Sequence, residues 1–159
     1  MSTRPHATTP PPDAYYTQLA CAADRLFLYF GLILGLASLA LALWSGQWLP
    51  FYAVSLPSLA LMAVQIKLAP GSLLSRVTVA LVLMALVAAA IQQANGLVEM
   101  HFGVFVVIAL LLYYRDWIPV VVAAAAISVH HLAFYWLQTR GLPVRAFAAG
   151  SGFSIVLLH

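Results

Sequence analysis

Three of the five histidines, His101, His130 and His131, lie inside long apolar runs of a 159-residue chain, with Glu99 at the edge of one run and His159 in another. Ionisable groups are costly in such surroundings, so a functional role is the default reading. Neutral imidazole is the commonest protein ligand for zinc, copper and haem iron, and a helical bundle can supply ligands from facing helices. Two facing imidazoles suit a bis-histidine haem; three suit a zinc or copper ion. The plain alternative is a buried network in which each ring bonds a Tyr, a Gln or a backbone carbonyl. Spacing alone does not decide, because no two of these histidines stand at the i, i+4 separation of a helical metal pair.

The surroundings of these residues are almost pure hydrocarbon. The sequence is 64% hydrophobic and 7% charged, too few charges to clothe a globule in water, where roughly 25% is usual. An integral membrane protein is the implied class, with the lipid bilayer as its first partner. A formal charge of +3 built from so few residues carries no nucleic-acid signal. Cys21 is the single cysteine, so no intramolecular disulfide is possible. No nucleophile elbow, glycine-rich phosphate loop, H-E-x-x-H motif or pair of facing carboxylates is present, and the chain is not expected to be an enzyme.

Residues 1–22 read as a disordered tail and lead-in, with Pro5, Pro10, Pro11 and Pro12 among threonines. Residues 23–159 form the membrane domain. Five apolar runs, at about 26–45, 48–67, 73–93, 97–114 and 118–138, each approach the roughly 20 residues that cross about 30 Å of hydrocarbon. A sixth starts near Phe153 and stops at His159, which marks the chain as a fragment truncated in its sixth helix. The fold class is therefore an all-α polytopic transmembrane bundle. Gly31, Gly35, Ser38 and Ala42 make a small-residue stripe on the first span, expected to serve packing within the chain. Pro57 should kink the second span unless neighbours satisfy the freed carbonyl. Gln92, Gln93, Asn95 and Gly96 read as a polar cap and turn.

With the N-terminus inside, Arg4, Arg25, Lys67, Arg76 and Arg115 are cytoplasmic and Arg140 and Arg145 are outside, which fits the positive-inside rule. On that topology His101, His131 and His159 sit at depths of roughly 6, 10–12 and 9–12 Å in the outer leaflet at ~1.5 Å per residue. His130 and His131 point about 100° apart. His131, sharing a face with Ser128, Tyr135 and Gln138, is expected to look inward. His130 shares its face with Ala123, Ala126, Ile127 and Phe134, and is expected against a small-residue contact or a second neighbour. The candidate cofactor-binding set is thus His101, His131, His130 and His159, with His101, His131 and His159 as the metal set and Glu99, Tyr135 and Gln138 around it. In the turn Tyr114-Arg115-Asp116-Trp117, Asp116 should cap the next helix and Pro119 suits its first turn. The turn either braces the hairpin or relays helix movement.

Several segments resemble the multi-spanning N-terminal sensory region of bacterial methyl-accepting chemotaxis proteins and related membrane sensor histidine kinases. They are Asp24-Arg25-Leu26-Phe27, Gly96-Leu97-Val98-Glu99-Met100-His101-Phe102 with Phe105, Tyr114-Arg115-Asp116-Trp117, Val129-His130-His131-Leu132 with Phe134 and Leu137-Gln138, and Ile155-Val156-Leu157-Leu158-His159. The resemblance implies a six-helix input module in the bacterial inner membrane, joined to a cytoplasmic output domain absent from this sequence, with homodimerisation through that missing part and Arg115, Asp116 and Trp117 as the signalling turn. The sensed signal and any cofactor, haem or a transition metal, stay open. The competing reading is a haem- or metal-binding electron carrier or permease.

Overall fold

A computed structural model describes residues 12–147, which are all-helical with no strand among them. Helix α1 spans Pro12–Ser45, α2 Trp48–Leu68, α3 Leu73–Gln93, α4 Val98–Leu111 and α5 Trp117–Thr139. Helices α1, α2, α3 and α5 are long and apolar enough to cross a membrane. The fourth falls short of the span expected at 97–114. Its 14 α-helical residues rise about 21 Å, and a 3₁₀ turn over Leu112–Tyr114 ends it at Arg115, which adopts a left-handed conformation at φ 53°. Helix α1 begins at Pro12, so residues 12–22, read as tail and lead-in, form its first turns. Of these only Ala20 is buried, and it opens the buried face that continues through Ala23, Asp24 and Phe27 at helical i, i+3, i+4, i+7 spacing.

Helix α3 is the axis of the bundle. It is the most buried of the long helices and packs against each of the other four. Val79, Leu83, Leu86 and Val87 of this helix meet Phe27 of α1, Met62 and Ile66 of α2, Val104, Val107 and Leu111 of α4 and Ala123 and Ile127 of α5 in one core. The glycine stripe of α1 packs within the chain, as expected: a Cβ on Gly31 would strike Met62, and one on Gly35 would come within 2.5 Å of Leu59. Large apolar side chains such as Tyr29, Ile33, Leu36 and Leu43 are exposed, while Asp24, Ser38, Ser55, Ser75, Gln93, His101 and His131 are buried. Hydrocarbon outside and polar groups inside is the arrangement that a lipid surround favours.

The helix is not regular just before Pro57. The helix widens into a π turn over Phe51–Ser55, in which the Leu56 N–H donates to the Phe51 carbonyl. The residue added by the wider turn brings Ser55 into the core, fully buried.

Candidate functional site

Polar groups gather at the two ends of the bundle. At the end where α3 stops and α4 starts, His101 lies in the first turn of α4 and His131 lies on α5, both buried. Their ring centroids are 5.3 Å apart with planes inclined at 53°. The expected depths are roughly 6 Å for His101 and 10–12 Å for His131; in the fold the two rings are neighbours. Each ring turns Nδ1 back to the carbonyl four residues earlier: His101 to Leu97 at 3.1 Å, His131 to Ile127 at 2.8 Å. A carbonyl only accepts, so each Nδ1 carries the proton and donates it. In the neutral ring the lone pair then resides on Nε2, the tautomer in which a histidine ligates through Nε2.

Phe147 packs its ring against both imidazoles, at 6.1 Å from His101 and 5.3 Å from His131. Its backbone is held on two sides. Gln138 Nε2 donates to the Phe147 carbonyl at 2.9 Å, and Gly96, at φ +76°, lets the Phe147 backbone approach so closely that a Cβ there would lie 2.7 Å from its carbonyl carbon. Gln138 thus reaches the site by positioning Phe147. Tyr135 is half-buried with its ring 6.3 Å from Phe147. His130 diverges from its neighbour and stacks on Phe134, centroids 4.0 Å apart, and its Nδ1 has no hydrogen-bond partner among the described residues. Glu99 is exposed, two residues before His101. His159 lies outside the described residues, and among those described no three His, Cys, Asp or Glu side chains gather into a metal-holding group.

Close to the histidine pair is a network that the sequence did not disclose. Gln93, read as part of a polar cap, is fully buried and accepts from Ser38 Oγ at 2.9 Å while its Nε2 donates to the Ser38 carbonyl at 3.0 Å. Ser38 Oγ and Ser55 Oγ are 2.7 Å apart. Because the Ser38 hydroxyl hydrogen goes to Gln93, Ser55 is the donor. Three helices are thereby tied through one satisfied set.

The opposite end is organised by Asp24, whose role was also missed. Its buried carboxylate accepts from Gly71 N–H and Ser75 Oγ, both at 2.7 Å, and from Tyr114 Oη at 2.6 Å. Beside it, Arg76 pairs with Asp116 at 2.6 Å, and Asp116 caps α5 by accepting from Ile118 N–H at 3.0 Å. Helices α1, α3, α4 and α5 meet here through charged or hydroxyl groups. Of the proposed signalling turn, Asp116 is part of this knot; Arg115 and Trp117 are exposed beside it. The available signal was a lone carboxylate, Asp24, at helical spacing from Ala20, Ala23 and Phe27.

No family model, curated protein or solved structure matches the chain.

Proposed function

We propose that this chain is the membrane-embedded input module of a bacterial signal-transduction receptor of the chemoreceptor type, placed in the inner membrane with its N-terminus in the cytoplasm. In this reading α4 serves as a fifth, shorter crossing. The input point is the histidine end, and helix movement is delivered to the end where Asp24, Tyr114 and Asp116 join four helices, beside the cytoplasm. One observation carries the proposal: α4 and α5 each contribute to both polar assemblies, His101 and Tyr114 from α4 with its terminal turn, His131 from α5 and Asp116 from its cap. A ligand that favours one separation of the two imidazoles therefore biases the same two helices at their far ends. Such a ligand must interact differently with two arrangements, since equal affinity shifts nothing.

The test joins the full chain to the cytoplasmic signalling part of a chemoreceptor and measures kinase activity in membrane vesicles. The double substitution His101→Gln, His131→Gln and the single substitution Asp116→Asn should each change basal output by about fivefold or more, the lower range of allosteric coupling. Output equal to the parent in both variants, at equal amounts of inserted protein, refutes the proposal.

A further inference from the structure

We propose that the Asp24 end of the bundle is a binding surface for anionic phospholipid, in which Arg25, Lys67 and Arg115 draw headgroup phosphates while the acyl chains lie on the exposed hydrocarbon beside them. The inference stands apart from the signalling reading, because it requires only that this end of an apolar bundle meets the boundary between membrane and water. The hydrogen bonds of one carboxylate gather the three cations. Arg25 follows Asp24 directly. Arg115 follows Tyr114, whose hydroxyl donates to Asp24 at 2.6 Å, and Lys67, in the last turn of α2, lies one turn before Gly71, whose N–H donates to the same carboxylate at 2.7 Å. All three cations are exposed.

The carboxylates of the chain are committed elsewhere. Asp24 is buried beneath three donors, and Asp116 pairs with Arg76 and caps α5. Of the two remaining acidic residues, Glu99 lies at the opposite end and Asp13 stands twelve positions before Arg25, about 18 Å along α1. The surface thus carries positive charge that an external anion can neutralise. Its side chains also reach the right way: Arg25 Nε donates to the Cys21 carbonyl at 3.5 Å and Arg76 Nε to the Ser72 carbonyl at 3.4 Å, each one turn back toward this end of its helix. Cations that leave an apolar flank for the headgroup level snorkel in this manner. Arg115 adds a separate observation. It holds φ 53°, a left-handed region that glycine occupies without the cost an arginine meets, so the stability of the turn does not explain an arginine there.

The apolar flank selects the kind of anion. Tyr29, one turn from Arg25, and Trp117, beside Arg115, are exposed, and rings with a polar tip are those that occupy the membrane interface. Leu68, next to Lys67, is exposed hydrocarbon. Cation, amphipathic ring and open hydrocarbon side by side fit a phosphate that carries acyl chains; a soluble anion gains nothing from the apolar part. Clusters of Lys and Arg at the end of membrane helices attract anionic lipid on the same physical grounds.

The test places the full chain in micelles containing equal amounts of phosphatidylglycerol and phosphatidylcholine with the same acyl chains, and reads the retained lipids by native mass spectrometry. Phosphatidylglycerol should be retained in preference. Arg25→Gln, Lys67→Gln and Arg115→Gly should each lower that preference by about fivefold, the weight of one basic side chain at an anionic surface, and the triple variant should abolish it. Arg115→Gly separates lipid binding from folding: glycine suits the φ of that turn, so this variant should resist SDS as well as the parent does while losing lipid. Arg145→Gln, at the opposite end, should leave the preference unchanged. Equal retention of the two lipids by the parent overturns the surface, as does a preference that the triple variant keeps or that Arg145→Gln removes to the same degree. Displacement of phosphatidylglycerol by an equimolar amount of inorganic phosphate at matched ionic strength also overturns it, by assigning the cations to a soluble anion.

Discussion

Tyr114→Phe should destabilise the bundle by about 2 kcal/mol, and the reasoning is open to direct measurement. The substitution removes one oxygen. The ring stays where it is, 5.0 Å from Phe27 and buried, so packing is retained and the loss isolates the hydroxyl. Two magnitudes compete. Neutral hydrogen bonds between membrane helices average about 0.6 kcal/mol, because the unfolded chain in lipid also finds partners. Bonds to charged groups contribute about 1.5–3 kcal/mol. The Tyr114 hydroxyl donates to a fully buried carboxylate at 2.6 Å, so the second range governs.

The carboxylate distributes its charge over three donors, and the cost of losing them should rise with each loss. Ser75→Ala is expected to cost about 1.5 kcal/mol by the same argument. Combined with Tyr114→Phe it leaves Asp24 only the Gly71 N–H, and the double variant should exceed the sum by about 0.5–1 kcal/mol, within the range for coupled neighbours. On an Asp24→Asn background both losses should shrink, since the acceptor is then neutral. The measurement is reversible unfolding by SDS in mixed micelles, followed by far-ultraviolet circular dichroism. A Tyr114→Phe variant within about 0.5 kcal/mol of the parent, the size of an ordinary surface substitution, refutes the argument that Asp24 is the anchor of this end.

Two further outcomes test the same end. Gly71→Ala combines a left-handed φ of +69° with a Cβ 2.8 Å from Cys21 Sγ and 3.1 Å from the Thr17 carbonyl, whereas Gly46→Ala at φ +73° meets open space. The second should lose only the about 1–2 kcal/mol of left-handed strain and the first clearly more; equal losses in the micelle assay would detach the α2–α3 turn from α1. Asp116→Ala forfeits both the cap of α5 and the Arg76 partner, for about 2 kcal/mol, while Asp116→Asn keeps a capping oxygen and should lose about 1 kcal/mol or less, since the ion pair is partly exposed. Identical losses would place the cap elsewhere.

The parts of this molecule that were legible in its sequence are those set by local rules. Apolar run length located α2, α3 and α5 to within a few residues, and the Asp116 cap followed from its position before the next run. What escaped was set at long range. Asp24 and Tyr114 are 90 positions apart and Ser38 and Gln93 are 55 apart, and no local pattern pairs them. Run length also misplaced the start of α1, because it scores hydrophobicity and overlooks a helix whose buried face includes a carboxylate. The short α4 escaped for a related reason: its apolar run continues to Tyr114, but the chain tightens into 3₁₀ geometry and turns at Arg115.

The energetics of the two ends differ in a way that bears on how they could communicate. Asp24 has every donor supplied by a different element: the α2–α3 turn, α3 and the end of α4. Removing any one leaves a buried charge under-satisfied, so this end resists small adjustments and moves, if at all, as a unit. At the histidine end each Nδ1 is satisfied by its own helix, and no described hydrogen bond links α4 to α5 there. The described Nδ1 bonds of the two imidazoles thus stay within one helix each, whereas at the far end Tyr114 and Asp116 are bonded to α1 and α3.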